Sequence, residues 1–195
     1  NHNLRFNYTG NTSQPTVNQL QPLRNNNNVF NQYIGNPDLK PSFSNSINIS
    51  HNSYNFIKDR WMYQSFNIRQ TSNAITNNVI FKPGSAETTI QPINTNGNYS
   101  INLWSGVGFK MKKLDTRINI NPNFNYSRFA DVINSITSYS KNLSAGLSIY
   151  LSKSKDKKYD ISLSNDFSYN SNKTSQQRSS INYYVNTVSA DVTIY

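Results

Sequence analysis

The sequence predicts an all-β protein: an antiparallel up-and-down transmembrane β-barrel, present as about eight strands of a larger barrel. Three observations lead there. Apolar and polar residues alternate over long stretches. Tight charged turns take turns with long polar connections. A polar average coexists with many aromatics: mean hydropathy is −0.70 and hydrophobic residues are 35%, yet aromatic residues reach 13%. A sheet with one face on lipid and the other on a wet lumen reconciles these facts, because Asn, Ser and Thr belong on the lumen side.

The first strand is expected over Leu4 to Thr9, with Leu4, Phe6 and Tyr8 on one face and Arg5 and Asn7 on the other. From Gly10 to Ser42 runs a polar stretch with four prolines and the run Asn25–Asn28, read as a long extracellular loop. The second strand spans about Phe43 to Phe56. Its apolar phase slips from Ile47 and Ile49 to Tyr54 and Phe56, which predicts a bulge near Ser53. After a turn at Ile57–Arg60, the third strand runs from Trp61 to Ile75. A second long loop is expected over 76–96.

The fourth strand, Asn98 to Met111, is the clearest. Tyr99, Ile101, Leu103, Val107, Phe109 and Met111 share one face, and Ser100, Asn102, Gly106, Gly108 and Lys110 share the other, with Trp104 as the exception. This run exceeds the ~9–11 residues that a tilted strand needs to cross a bilayer. The fifth strand answers with Ile118, Ile120, Phe124 and Tyr126; Pro122 falls on that apolar face and predicts a bulge or a missing rung. A loop is expected over 130–137. The sixth strand carries Leu143 to Leu151, the seventh Tyr159 to Tyr169, and a loop follows at 171–177. The eighth, Arg178 to Tyr195, begins on Ile181, Tyr183 and Val185 and then changes phase to Val188, Ala190, Val192 and Ile194.

Tight turns near 58, 113 and 155 would lie on the periplasmic side, and the longer connections on the cell surface. Tyr99, Tyr126, Tyr139, Tyr159 and Tyr169 fall at strand ends, where an interfacial aromatic girdle is expected. The net charge of +10 gathers in the turns, with no nucleic-acid-binding motif beside it, so no nucleic-acid partner is expected. The chain has no cysteine, which excludes disulfides and thiolate metal sites. No run approaches the ~18 apolar residues of a membrane helix. The chain opens directly on a strand, without a signal peptide, and reads as the interior of a longer protein continuing on both sides, with 1–195 a partial barrel domain.

Two stretches carry more information. Pro15-Thr16-Val17-Asn18-Gln19-Leu20-Gln21-Pro22 lies within the first long loop. Gly35-Asn36-Pro37-Asp38-Leu39-Lys40-Pro41 closes that loop. In the second, glycine permits positive φ, each proline fixes φ, and Pro41 suits the mouth of a strand rather than its middle. In this order and before two-sided strands, the pair resembles the Pro-x-x-x-Gln-Leu-x-Pro and Gly-Asn-Pro-x-Leu-Lys-Pro signatures of TonB-dependent receptors and related outer-membrane β-barrels. The motif residues Pro15, Gln19, Leu20, Pro22 and Gly35 to Pro41 are read as structural.

The resemblance implies the outer membrane of a Gram-negative-type bacterium, with lipid around the strands. It also implies a plug domain in the same parent chain and a periplasmic energy-coupling protein as partners. The implied function is uptake of a bulky nutrient such as a siderophore or glycan. The alternative is a non-transporting surface barrel or adhesin whose loops bind a partner. On this resemblance the plug is expected upstream of these residues, and further strands are expected after Tyr195, since 188–195 does not resemble the usual terminal assembly signal.

No enzyme is expected. His2 and His51 are the only histidines and lie far apart in sequence; Asp160 and Asp166 share a face of the seventh strand without being vicinal; no cofactor or metal is called for. Asn27, Phe30 and Tyr33 in the first long loop are the candidate ligand contacts.

Overall fold

The computed structural model describes residues 2–25 and 30–195. One sheet holds nearly all of them. The chain begins with β1 (His2–Ser13). It then makes a one-turn helix α1 (Val17–Leu20) and two short strands, β2 (Arg24–Asn25) and β3 (Asn31–Ile34). The long hairpin β4 (Ser42–Asn55) and β5 (Arg60–Ser72) follows, then the short hairpin β6 (Ala74–Phe81) and β7 (Thr88–Thr95). The rest is β8 (Asn98–Met111), β9 (Thr116–Ile133), β10 (Ile136–Lys155), β11 (Tyr159–Lys173) and β12 (Ile181–Ile194).

The long strands form a wall in the order β1-β4-β5-β8-β9-β10-β11-β12, each antiparallel to its neighbour. These are the eight strands the alternation predicts. Their register keeps the two faces apart. One rung reads Phe6, Ile49, Phe66, Leu103, Phe124, Ala145, Tyr169 across the wall. The adjacent rung, on the opposite face, reads Asn7, Asn48, Asn67, Asn102, Asn125, Ser144, Asn170. Side chains in a strand alternate between faces, so neighbouring rungs belong to opposite surfaces.

The apolar face has no protein packed against it. Phe6 is 66% exposed, and among the described residues the buried apolar side chains are Leu39, Ala74, Pro92, Ala130 and Val132, all near the loop end. Covering a large apolar side chain contributes about 1.5–3 kcal/mol, so this face stays uncovered at a cost unless an apolar surrounding meets it. Two amides fall on this face, and the Asn165 side-chain nitrogen donates to the Asn186 side-chain oxygen at 2.7 Å. The sheet is not closed: β1 and β12 each have one neighbour.

Several expectations are corrected. The register of β4 with β5 runs unbroken to Asn55–Arg60, so there is no bulge at Ser53; Tyr54 instead joins the polar face opposite Trp61. β12 keeps one register with β11 throughout, so Ile181, Tyr183 and Val185 face the polar side and Val188 to Ile194 the apolar side. The loop expected at 130–137 is a two-residue turn: Asn134 and Ser135 take φ of 49° and 63°, which suits the twist of a hairpin. β9 and β10 are therefore 18 and 20 residues long. The third strand stops at Ser72, because Asn73 turns the chain at φ 50°, and 76–96 is mostly the hairpin β6–β7. Pro122 produces the missing rung: pairing of β8 with β9 skips Ser105 and Gly106 and resumes in the same register.

Trp61 explains two glycines. Its ring lies over Gly106 and Gly108 on the polar face of β8; a Cβ on Gly106 would stand 2.9 Å from the indole and 2.8 Å from the Asn121 amide oxygen, and one on Gly108 would overlap both Trp61 and Asn119. Gly108→Ala is therefore expected to destabilise the sheet by ~1–3 kcal/mol through overpacking. The loss should shrink in the Trp61→Ala background. Thermal unfolding in detergent micelles measures both, and equal losses in the two backgrounds would refute the packing account.

Candidate functional site

The loop end of the wall carries a small platform. Its base is α1, built from the first sequence signature. Thr16 caps the helix: its hydroxyl accepts from the Gln19 amide at 3.3 Å, while the Gln19 side-chain oxygen accepts from the Thr16 amide at 2.9 Å. This is a capping box, and Pro22 prevents the helix from continuing. The second signature docks onto it. The Asn36 amide donates to the Gln19 carbonyl at 2.6 Å. Gly35 passes so close to Asn18 and Gln21 that a Cβ would collide with their backbone. The two signatures are thus halves of one contact.

The rest of the second signature grips β6–β7. The Asn36 side-chain oxygen accepts from the Asp38 amide at 3.0 Å, and its nitrogen donates to the carbonyl of the fully buried Pro92 at 3.1 Å. Pro37 fixes the chain between them. Leu39 is buried. Asn94 accepts from the Lys40 amide at 2.8 Å and donates to the carbonyls of Lys40 at 2.9 Å and Asn73 at 2.8 Å. Pro41 then leads into β4. β3 adds to β7 in parallel, with Tyr33 opposite Ile90, and the Thr88 amide donates to the Phe30 carbonyl at 2.8 Å.

The hairpin is also bolted to the wall. β6 pairs in parallel with the end of β9, Asn78 opposite Val132. The buried Asn78 side chain accepts from the Ser135 amide at 3.0 Å and donates to the Ser135 hydroxyl at 3.2 Å. Asn134 accepts from the Phe81 amide at 2.8 Å.

Below this platform, on the polar face of β9 and β10, lies a cavity of about 440 Å³. Phe129 and Asp131 from β9, Ser140 and Asn142 from β10, Asn77 from β6 and Gln176 line it. The Ser140 hydroxyl donates to the Asp131 carboxylate and accepts from the Ser175 amide at 3.2 Å, which folds the 174–177 turn over the opening. Amides, a carboxylate and a half-exposed ring in one concavity suit a neutral ligand with several hydroxyl or amide groups.

Of the predicted contacts, Asn27 lies outside the described residues. Phe30 is 61% exposed. Tyr33 is half-buried in β3, where burial pushes its phenol above the ordinary tyrosine range. Neither lines the cavity. The cavity residues were missed because 130–137 reads as a loop. Part of the signal was present: Ala130 and Val132 keep the apolar phase of Phe124 and Tyr126, with Asp131 on the other face, while Phe129 breaks the pattern. The sheet also joins the two histidines that sequence distance separates. His2 and His51 stack with centroids 5.7 Å apart on β1 and β4. Asp160 accepts from the Tyr195 hydroxyl at 2.7 Å, and Asp166 stands six residues along the same strand.

The aromatic girdle is clear at the loop end of the apolar face. Tyr99 and Tyr126 lie 5.7 Å apart, Tyr169 and Tyr184 5.1 Å apart, and the Arg128 guanidinium sits 3.7 Å over Tyr139.

A family model described as "Outer membrane protein beta-barrel family" matches residues 1–194. No curated protein and no solved structure matches the chain.

If Asn94 ties the second signature to the hairpin, Asn94→Ala leaves three backbone groups without that partner, at a local cost of about 1–3 kcal/mol. Limited proteolysis should then cut within 14–41 faster than in the unaltered protein, while strand content by circular dichroism is unchanged. Unaltered cleavage would show that other contacts hold the loop.

Proposed function

The chain belongs to the outer membrane protein β-barrel family, and from that premise we propose that it forms part of the wall of an outer-membrane receptor for uptake of a bulky nutrient, such as a siderophore or glycan. The observation that carries this reading is the rim cavity around Asp131 and Phe129. It lies on the same face as the asparagine row, at the loop end. A ligand held there stands at the head of a surface of amides and hydroxyls that exchange hydrogen bonds without strong selection. On this reading the polar face is the lumen. Further strands pair with β1 and β12, because backbone groups left open on a lipid-exposed edge cost several kcal/mol each.

The two signatures support the finer assignment to TonB-dependent receptors, with a plug in the same parent chain and a periplasmic energy-coupling protein releasing the ligand inward. A second reading, a surface adhesin, is favoured by one feature. The platform exposes Val17 at 67% and Phe30 at 61%, apolar groups turned outward rather than toward the cavity.

Two measurements separate these readings. In cells carrying the full-length gene, Asp131→Ala with Phe129→Ala is expected to lower nutrient uptake at least about tenfold, a loss of the size that one or two lost hydrogen bonds and a stacking contact produce. Collapsing the proton gradient should produce the same loss. Unchanged uptake together with lost surface adhesion in a Val17→Ser, Phe30→Ser variant would favour the adhesin.

Orientation is tested separately. Ser85→Cys, at the tip of β6–β7, should react with an impermeant maleimide on intact cells, whereas Asp156→Cys should react only after the outer membrane is opened. The reverse pattern inverts the topology.

A further inference from the structure

Ten of the 19 basic residues stand at the turn end of the wall, most of them in or beside three tight turns. Lys58 and Arg60 flank the β4–β5 turn, Lys112 and Lys113 form the β8–β9 turn, and Lys153, Lys155, Lys157 and Lys158 surround the β10–β11 turn. The carboxylates of this rim are largely engaged. Asp59 accepts from Arg117 at 2.9 Å, and Asp115 pairs with Lys110 at 2.6 Å. The Asp115 carboxyl is held below the usual range by its hydrogen bond to Lys110 and that residue's charge, and further by Lys153 and Lys155 of the neighbouring turn. The turns therefore share one field. Arg117 likewise links the β8–β9 turn to Asp59 in the β4–β5 turn.

Apolar side chains stand beside these cations. Phe56 and Ile57 are 83% and 87% exposed next to Lys58, and Leu114 is 59% exposed next to Lys113. Such neighbours suit a bilayer edge, where the apolar group dips toward the acyl chains and the lysine stem lifts its charge to the headgroups. Spacing agrees. Strands lie about 4.8 Å apart, so successive turns place cations about 10 Å apart along the edge of the sheet. This is a line of charge running where the membrane surface must run, rather than a concave pocket. At the loop rim Lys82 is paired with Glu87 at 2.9 Å and Arg128 is stacked on Tyr139, while Lys141 and Lys173 stand opposite each other across β10 and β11.

We propose that the turn rim is a docking surface for anionic phospholipid headgroups of the periplasmic leaflet, with Lys58, Lys112, Lys113, Lys155 and Lys157 contacting their phosphates. The proposal rests on the orientation given above, in which the tight turns face the periplasm. The headgroup is bound as a phosphodiester, through charge and hydrogen bonds from mobile ammonium groups, and so with little selection for the group beyond the phosphate.

The test uses the full-length protein in detergent micelles, with bound lipid counted by native mass spectrometry. Phosphatidylglycerol should be retained at least about tenfold over phosphatidylcholine, and this preference should weaken as salt rises. The Lys112→Gln, Lys113→Gln, Lys155→Gln, Lys157→Gln variant should retain both lipids equally. A Lys141→Gln, Lys173→Gln variant at the loop rim should behave as the unaltered protein. Thermal unfolding in micelles checks that each variant is folded; if the turn variant is not, Lys112→Arg with Lys113→Arg, which keeps the charge, must retain phosphatidylglycerol. Equal retention of the two lipids by the unaltered protein overturns the proposal. So does lipid A binding that the turn variant loses while its phosphatidylglycerol binding persists. Displacement of phosphatidylglycerol by polyglutamate at equal charge would assign the rim to an acidic periplasmic protein instead. Failure of the cysteine-labelling pattern alone would leave the headgroup preference measurable and would move it to the outer leaflet, which also overturns this assignment.

Discussion

From β1 to β12 the wall strands keep one register, and the separation of lipid from water depends on it. The row Asn7, Asn48, Asn67, Asn102, Asn125 stands one rung from the row Phe6, Ile49, Phe66, Leu103, Phe124. A slip of one residue at any ladder would exchange the faces on one side of it. An amide moved into hydrocarbon without a partner costs roughly 4–8 kcal/mol, so the lipid enforces the register from one side. The amides enforce it from the other. Asn67 donates to Asn48 at 2.6 Å, and Asn102 donates to Asn67 at 3.3 Å, bonds that exist only when the three strands are aligned. Hydrogen bonds between side chains thereby specify a sheet whose apolar face, being fluid-solvated, specifies position poorly.

The wall was legible because its signal is a strict period of two, repeated over strands longer than a bilayer requires. What misled was local. Tyr54 is large and aromatic, and the alternation counts it as apolar; the sheet puts it on the polar face opposite Trp61, which covers Gly106 and Gly108 there, and Trp104, the exception in its strand, lies on that face too. The same confusion made a phase change of Ile181, Tyr183 and Val185. A transmembrane sheet tolerates apolar side chains on its wet face far better than unpaired polar ones on its lipid face, so errors of this kind run one way. Pro122 was read from its chemistry alone, since a residue without an N–H leaves a rung open in any sheet.

The rim was less legible because it is built from contacts distant in sequence. Asn36 meets Pro92, Lys40 meets Asn94, and Asn78 meets Ser135, each more than fifty residues apart. Nothing in the local pattern marks these pairs. The two signatures were read as architectural. Gly35 against Gln21 supplies the reason: the first forms a capped turn, and the second needs a residue without a side chain to pass it. Phe30 and Tyr33 stand apart from the cavity, because position in a polar loop does not say where a concavity forms. Asp131 and Phe129 acquire a cavity only when 174–177 folds over Ser140.

The two ends of the wall are held by different physics. At the loop end, neutral amides satisfy the irregular backbone; Asn78, Asn94 and Asn134 donate to or accept from main-chain groups. Such bonds are indifferent to salt and to pH across the range in which the protein is charged. At the turn end the Asn55 amide oxygen accepts from the Lys58 amide at 3.0 Å, and two ion pairs join groups that remain about half exposed, 44% and 61% for Lys110 and Asp115, 50% and 38% for Arg117 and Asp59. Pairs in that setting add little to stability, because water and salt screen them and two long side chains must be ordered. The turns themselves close without them: Asp59, Asp115 and Lys157 each supply the left-handed residue that a tight turn requires. The ammonium groups of Lys112, Lys113 and Lys157 take part in neither of these two ion pairs. Like charges so close repel one another and make the edge less stable in isolation. On the proposal made above, headgroup phosphates would offset that repulsion from outside the chain.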